Sequence, residues 1–152
     1  MKTWIIVAHR TEAKIFSYDH RKNADIEFVT KLENPRGRLK AQDINADRPG
    51  IFSGAPAHAS GLQRQESPTE RVAQEFAKKI SDYLELSRQR HIFTELILIA
   101  DPYFLGLLRG NLTKPLIACV RREISKDLAT VTGDDLKNRL WPQEPERSRQ
   151  QL

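Results

Sequence analysis

Cysteine is almost missing from this sequence: Cys119 is the single one in 152 residues. One thiol excludes an intrachain disulfide and any multi-cysteine metal cluster. Its neighbours Leu116, Ile117, Ala118 and Val120 are apolar, which predicts a buried structural thiol rather than a nucleophile. Long hydrophobic runs are missing too. The apolar stretch Trp4-Ile5-Ile6-Val7-Ala8 ends at His9-Arg10, too early for the hydrophobic region of a signal peptide. No segment approaches the roughly 20 apolar residues that cross a bilayer. These absences predict a cytoplasmic chain without a membrane partner.

Catalytic signatures are missing as well. No G-x-x-x-x-G-K-[ST], H-E-x-x-H, C-x-x-C or G-x-S-x-G pattern occurs, so a phosphate-cradling loop, a helical zinc site, a redox dithiol and a nucleophile elbow are all excluded. His9, His20, His58 and His91 are scattered one by one, a pattern of surface histidines rather than metal ligands. Metal-dependent nuclease chemistry needs carboxylates converging from strand ends, and the first strand carries none. Asp101 before Pro102 is explained as a helix cap. The expectation is a protein with no catalytic residues, no metal and no small-molecule cofactor.

What is present is positive charge and regular patterning. Lys and Arg number 25 against 20 Asp and Glu, a net +5, which favours polyanionic partners. Hydrophobic residues at 39% and charged residues at 30% describe an ordinary globular chain. Trp4 to Ala8, apolar on both alternating faces, predicts a central strand. Lys14 to Tyr18 predicts a second strand. In a third, Ile26, Phe28, Thr30 and Leu32 fall on one face and Glu27 and Lys31 on the other. Ser67-Pro68-Thr69-Glu70 combines a Ser cap, Pro in the first turn and a Glu three residues after the cap. Val72, Phe76, Ile80 and Leu84 follow at four-residue steps, predicting a helix over 68–90. Leu96 to Ala100 predicts a buried strand, and Asp101-Pro102 a helix ending near Gly110. A short helical piece over 115–120, a weaker edge strand over 121–127 and a last helix capped at Thr132 complete the pattern.

The order β-β-β-α-β-α-β-α implies an α/β fold: an antiparallel meander continued into parallel crossovers, one mixed sheet with helices on its faces, similar to the ribonuclease H-like arrangement. Residues 1–141 are expected to form a single domain, and 142–152, rich in proline and charge, a loose tail.

Residues 34–66 fit neither helical nor strand periodicity and hold four of the seven glycines. A loop of that length within a compact domain is normally functional or disordered. It carries Arg36, Arg38, Lys40, Arg48 and Arg64 against Asp43, Asp47 and Glu66. The functional reading is a basic arm that meets phosphates, giving salt-dependent affinity without sequence selectivity. The bland reading is a solvated surface loop.

Several segments in order resemble the bacterial family of proteins required for attachment to host cells. They are Ala13-Lys14-Ile15-Phe16, Pro35-Arg36-Gly37-Arg38-Leu39-Lys40, Asp47-Arg48-Pro49-Gly50, the run from Leu98 to Arg109, and Ser125-Lys126-Asp127-Leu128. Together they span most of residues 3–140. His9 departs from the pattern, which has an Asp ending the first strand. That family is in turn similar to the middle domain of archaeal and eukaryotic class I peptide release factors, where the corresponding loop carries Gly-Gly-Gln. Here Ser60-Gly61-Leu62-Gln63 comes nearest, and Leu62 restricts the backbone that would present the Gln63 amide. The resemblance implies a release-factor-like fold and a link to ribosomes or tRNA, with Gln63 joining the loop cations as a contact.

Three readings follow. The first is a non-catalytic module that binds the ribosome, rRNA or tRNA through Arg36, Arg38, Lys40, Arg48, Gln63 and Arg64. The second is a protein-interaction factor in bacterial attachment, with a protein partner. The third is a release-factor-like hydrolase, which the missing Gly-Gly-Gln counts against.

Overall fold

The structure is a computed structural model that describes residues 2–21, 25–38, 67–128 and 130–141. Its elements are β1 (Lys2–Ala8), β2 (Glu12–Asp19), β3 (Glu27–Glu33), α1 (Pro68–Gln89), β4 (Glu95–Ala100), α2 (Pro102–Asn111), α3 (Lys114–Cys119), β5 (Val120–Ser125) and α4 (Gly133–Leu140). A 3₁₀ turn, Pro35–Arg38, follows β3. The five strands form one sheet in the order β3-β2-β1-β4-β5. β1–β2 and β2–β3 are antiparallel, and β1–β4 and β4–β5 are parallel. This is the mixed α/β sheet expected from the sequence, with α3 at the short helical piece.

The caps do what their residues allow. In α1 the Glu70 amide donates to Ser67 Oγ (3.2 Å) and the Ser67 amide to Glu70 Oε2 (3.2 Å), so two otherwise orphaned donors are satisfied reciprocally. Asp101 Oδ1 accepts from the Phe104 amide at 3.0 Å at the start of α2. Thr132 and Asp135 repeat the capping box in α4.

The central strands are covered on both faces, as their unbroken apolar character requires. Trp4, Ile6 and Ala8 of β1 and Leu96, Leu98 and Ala100 of β4 face one layer, built from α1, α2 and α3. Ile5, Val7, Ile97 and Ile99 face the other, where Leu136 and Leu140 of α4 cover them together with Phe16. All four of Val72, Phe76, Ile80 and Leu84 are buried, each worth about 1.5–3 kcal/mol relative to exposure.

Two expectations need correction. Ile26, Phe28, Thr30 and Leu32 do not share a face. Ile15 opposes Thr30 while the next residue, Phe16, opposes Phe28, so Val29 is an extra residue, and a bulge of this kind reverses the alternation. Ile26 therefore packs with the α4 layer and Leu32 with the opposite one. Trp4, at the head of β1, is only 2% exposed, enclosed by Tyr83 and Phe93 at centroid distances of 6.2 and 5.0 Å. Cys119 is partly exposed rather than buried, lying at the rim of the larger layer.

Candidate nucleic-acid interface

The basic segment leaves the sheet at the end of β3 and is fastened at once to the β1–β2 turn. The Asn34 amide donates to the Thr11 carbonyl (2.8 Å) and Asn34 Nδ2 to the Arg10 carbonyl (2.8 Å). The Gly37 amide donates back to the Asn34 carbonyl at 2.9 Å, closing the 3₁₀ turn. A Cβ on Gly37 would stand 2.1 Å from the Arg10 carbonyl oxygen. Only glycine permits so close a backbone approach.

The turn being gripped is itself braced. The His9 amide donates to the Glu12 carbonyl (2.9 Å). His9 Nδ1 accepts from the Thr11 amide at 3.2 Å, and Nε2 lies 3.7 Å from Glu12 Oε1. An imidazole thus organises the turn that ends β1.

Arg36 and Arg38 project from this anchored piece, both exposed. Arg36 Nη1 lies 3.6 Å from Glu75 Oε2 on α1, with the two side chains 46% and 57% exposed. An exposed ion pair of that length contributes little, about 0–1 kcal/mol. Arg38 lines a small pocket of about 120 Å³ with Thr11, Glu12, Glu33 and Pro35. Around it Lys31 contacts Glu33 at 3.0 Å and Glu12 at 3.8 Å, and Lys14 contacts Glu12 at 4.0 Å. Its hydrogen bond to Glu33 holds the Lys31 ammonium above its ordinary range. Among the described residues, Lys14, Lys31, Arg36 and Arg38 are interleaved at this corner with Glu12, Glu33 and Glu75.

Of the residues predicted to contact nucleic acid, the structure brings Arg36 and Arg38 together at one corner. Lys40, Arg48, Gln63 and Arg64 lie outside the described residues. Sequence reasoning missed the acidic partners Glu12, Glu33 and Glu75 and the anchor Asn34. Asn34 before Pro35 is a recognisable turn signal; nothing in the local sequence marks Glu75, 39 positions beyond Arg36, as its partner.

Residues 4–140 match the family described as "Protein required for attachment to host cells". The chain belongs to this family. No curated protein matches the chain of this host-attachment family member. Among solved structures it is similar to one described as an archaeal protein, at 14% identity and TM-score 0.46, covering 90% of this chain and 33% of that one. It is also similar to the crystal structure of an archaeal translation termination factor, at 16% identity and TM-score 0.49, covering 82% of this chain and 30% of that one. The host-attachment chain thus spans about a third of either. Among the described residues no helix is long and apolar enough to cross a membrane.

Proposed function

We propose that this host-attachment family protein is a binding module, without a catalytic role, that meets ribosomal RNA or tRNA through the basic segment beginning at Pro35. The observation that carries the reading is the anchored base of that segment. Asn34 and Gly37 fix the position from which Arg36 and Arg38 project, while Glu75, the one carboxylate on Arg36 among the described residues, is held weakly enough for a phosphate to displace it. Lys40, Arg48 and Arg64 continue the cationic run in sequence. Contacts of this kind fall steeply with salt because each releases counterions.

The test is co-sedimentation of the protein with ribosomal particles, and filter binding to structured RNA, across a salt series. Replacing Arg36, Arg38 and Lys40 together by Gln should abolish co-sedimentation at moderate salt and reduce the salt slope by about two to three units. An unchanged slope removes the segment from the interface.

A second reading, a protein-interaction factor in attachment, is favoured by the family description and by the outer strand β3, whose Phe28 is 59% and Val29 40% exposed. An open edge bearing apolar side chains suits an added strand from a protein partner. Direct attachment requires that protease applied to intact cells cleave the chain; survival of the chain excludes that form.

A further inference from the structure

The strand at the other edge of the sheet divides its charges by face. From Arg122 onward the side chains of β5 alternate, after a bulge at Arg121. Arg121, the extra residue where Leu96 opposes Val120 but Ile97 opposes Arg122, contacts Glu95 at 3.1 Å, and Glu123 pairs with Arg109 of α2 on the three-helix side. Arg122 and Ile124 point the other way, towards α4. Lys126, one step beyond the strand, continues their row, and Arg139 approaches from α4. These three cations ring a pocket of about 230 Å³ whose floor is Ile99, Ile124 and Leu128. Among the described residues no carboxylate lines it. Asp127, next to Lys126 in the chain, does not line the pocket.

One of the cations is held in place. Arg122 Nη1 donates to the Leu140 carbonyl at 2.8 Å, fixing the guanidinium at the C-terminal end of α4 and leaving its other N–H groups for a ligand. Three like charges gathered without a carboxylate repel one another, and an anion at their centre relieves that repulsion. Guanidinium and ammonium groups converging on one point suit a phosphate. The apolar floor offers a surface to an organic group but nothing to a bare ion. The pocket is smaller than the roughly 300–1,000 Å³ of most small-molecule sites, so it takes a phosphate and its sugar rather than a whole dinucleotide. It also lies beside the carboxyl ends of two parallel strands, β4 and β5, where open α/β sheets place ligands.

We propose that the pocket bounded by Arg122, Lys126 and Arg139 binds a phosphate ester of the nucleotide class, the phosphate on the cations and the sugar on the apolar floor. This does not depend on the role given to the segment after Pro35.

The test uses the full-length protein labelled for NMR and titrated with inorganic phosphate, adenosine 5′-monophosphate and a single-stranded oligoribonucleotide without a terminal phosphate. The side-chain Nε–H signals of Arg122 and Arg139 and the backbone signals of Lys126 to Leu128 should shift, with the mononucleotide bound more tightly than inorganic phosphate. Lys126→Gln and Arg139→Gln should each weaken binding about tenfold, the loss of one charge-assisted contact. Lys126 makes no bond to α4, so its variant keeps the fold. Lys78→Gln on the exposed side of α1 should change nothing. Equal or tighter binding of the oligoribonucleotide at these signals identifies a phosphodiester within an RNA chain as the occupant; preference for the mononucleotide identifies a free ester. Absence of shifts at these signals, or a loss for Lys78→Gln equal to that for Lys126→Gln, overturns the proposal.

Discussion

Glu85, on the outer side of α1, ties two helices together with one carboxylate. Arg88 donates to both of its oxygens, at 2.9 and 2.7 Å, and Gln89 adds a third bond at 3.3 Å. Thr113, the N-cap of α3, donates its hydroxyl to Glu85 Oε2 at 3.0 Å while its oxygen accepts from the Leu116 amide at 3.3 Å. The Arg88 hydrogen bonds, seconded by Gln89 and Thr113, pull the Glu85 carboxyl down to about 2 from its usual 4.5. Because the folded value is the lower one, the stabilisation is complete above the unfolded value and is lost as pH falls towards 2. The Glu85 carboxyl resonance should therefore titrate near pH 2. Glu85→Gln should flatten the fall in stability between pH 4.5 and 2 measured by urea unfolding. A midpoint at the ordinary carboxylate value would show that the fourfold clasp does not form in solution.

Among the elements, the 3₁₀ turn depends on a single missing side chain. Gly37→Ala drives a methyl into the Arg10 carbonyl, a backbone atom that cannot rotate away. Either the β1–β2 turn or the 3₁₀ turn must move, at a cost of about 1–3 kcal/mol, typical of overpacking. Thermal unfolding should register that loss. RNA binding should weaken too, since the bases of Arg36 and Arg38 shift with the turn. A variant with wild-type stability would mean the two turns are not locked together. Elements governed by local rules were legible in the sequence for the same reason that they are stable. The α1 cap, its four-residue stripe and the twin-faced strands β1 and β4 each follow from residues within one or two turns of one another. What escaped depends on partners far along the chain. The bulge at Val29 is set by how β3 must meet β2, and no feature of Glu27 to Glu33 alone announces it. The helix α1 ends in a left-handed His91, φ 56°, with the Ile92 amide reaching the Ser87 carbonyl at 3.1 Å. That is a motif normally signalled by glycine, and no glycine marks it here. The candidate site divides likewise: Arg36 and Arg38 could be read from the basic run, whereas Glu75 came to Arg36 only through folding.

Across the whole molecule the two faces of the sheet are unequal. Three helices seal one face with a layer centred on Phe76, Ile80, Leu84, Phe104 and Leu108. Among the described residues the other is closed by the eight residues of α4, of which two are buried. A helix that short is not stable by itself, so it holds its place through Leu136, Leu140 and a few lateral ties. Lys137 Nζ bonds Asp25 at 2.8 Å, and Trp141 stacks on Tyr18 with centroids 4.3 Å apart. Local opening free energies follow how much apolar surface a unit buries. The amides of α4 should therefore exchange with solvent hydrogen through a partial opening well below the global unfolding free energy, while those of β1 and β4 exchange only on global unfolding. Leu136→Ala should lower global stability by about 2–5 kcal/mol and bring α4 exchange close to that of an unfolded chain. Because Arg122 is fixed to the Leu140 carbonyl and Arg139 belongs to the same helix, a phosphate ester bridging Arg139 to Lys126 must slow that opening. If α4 in the unmodified protein exchanged as slowly as β1, the thin face would be no weaker than the thick one, and the pocket beside it would be rigid rather than ligand-braced.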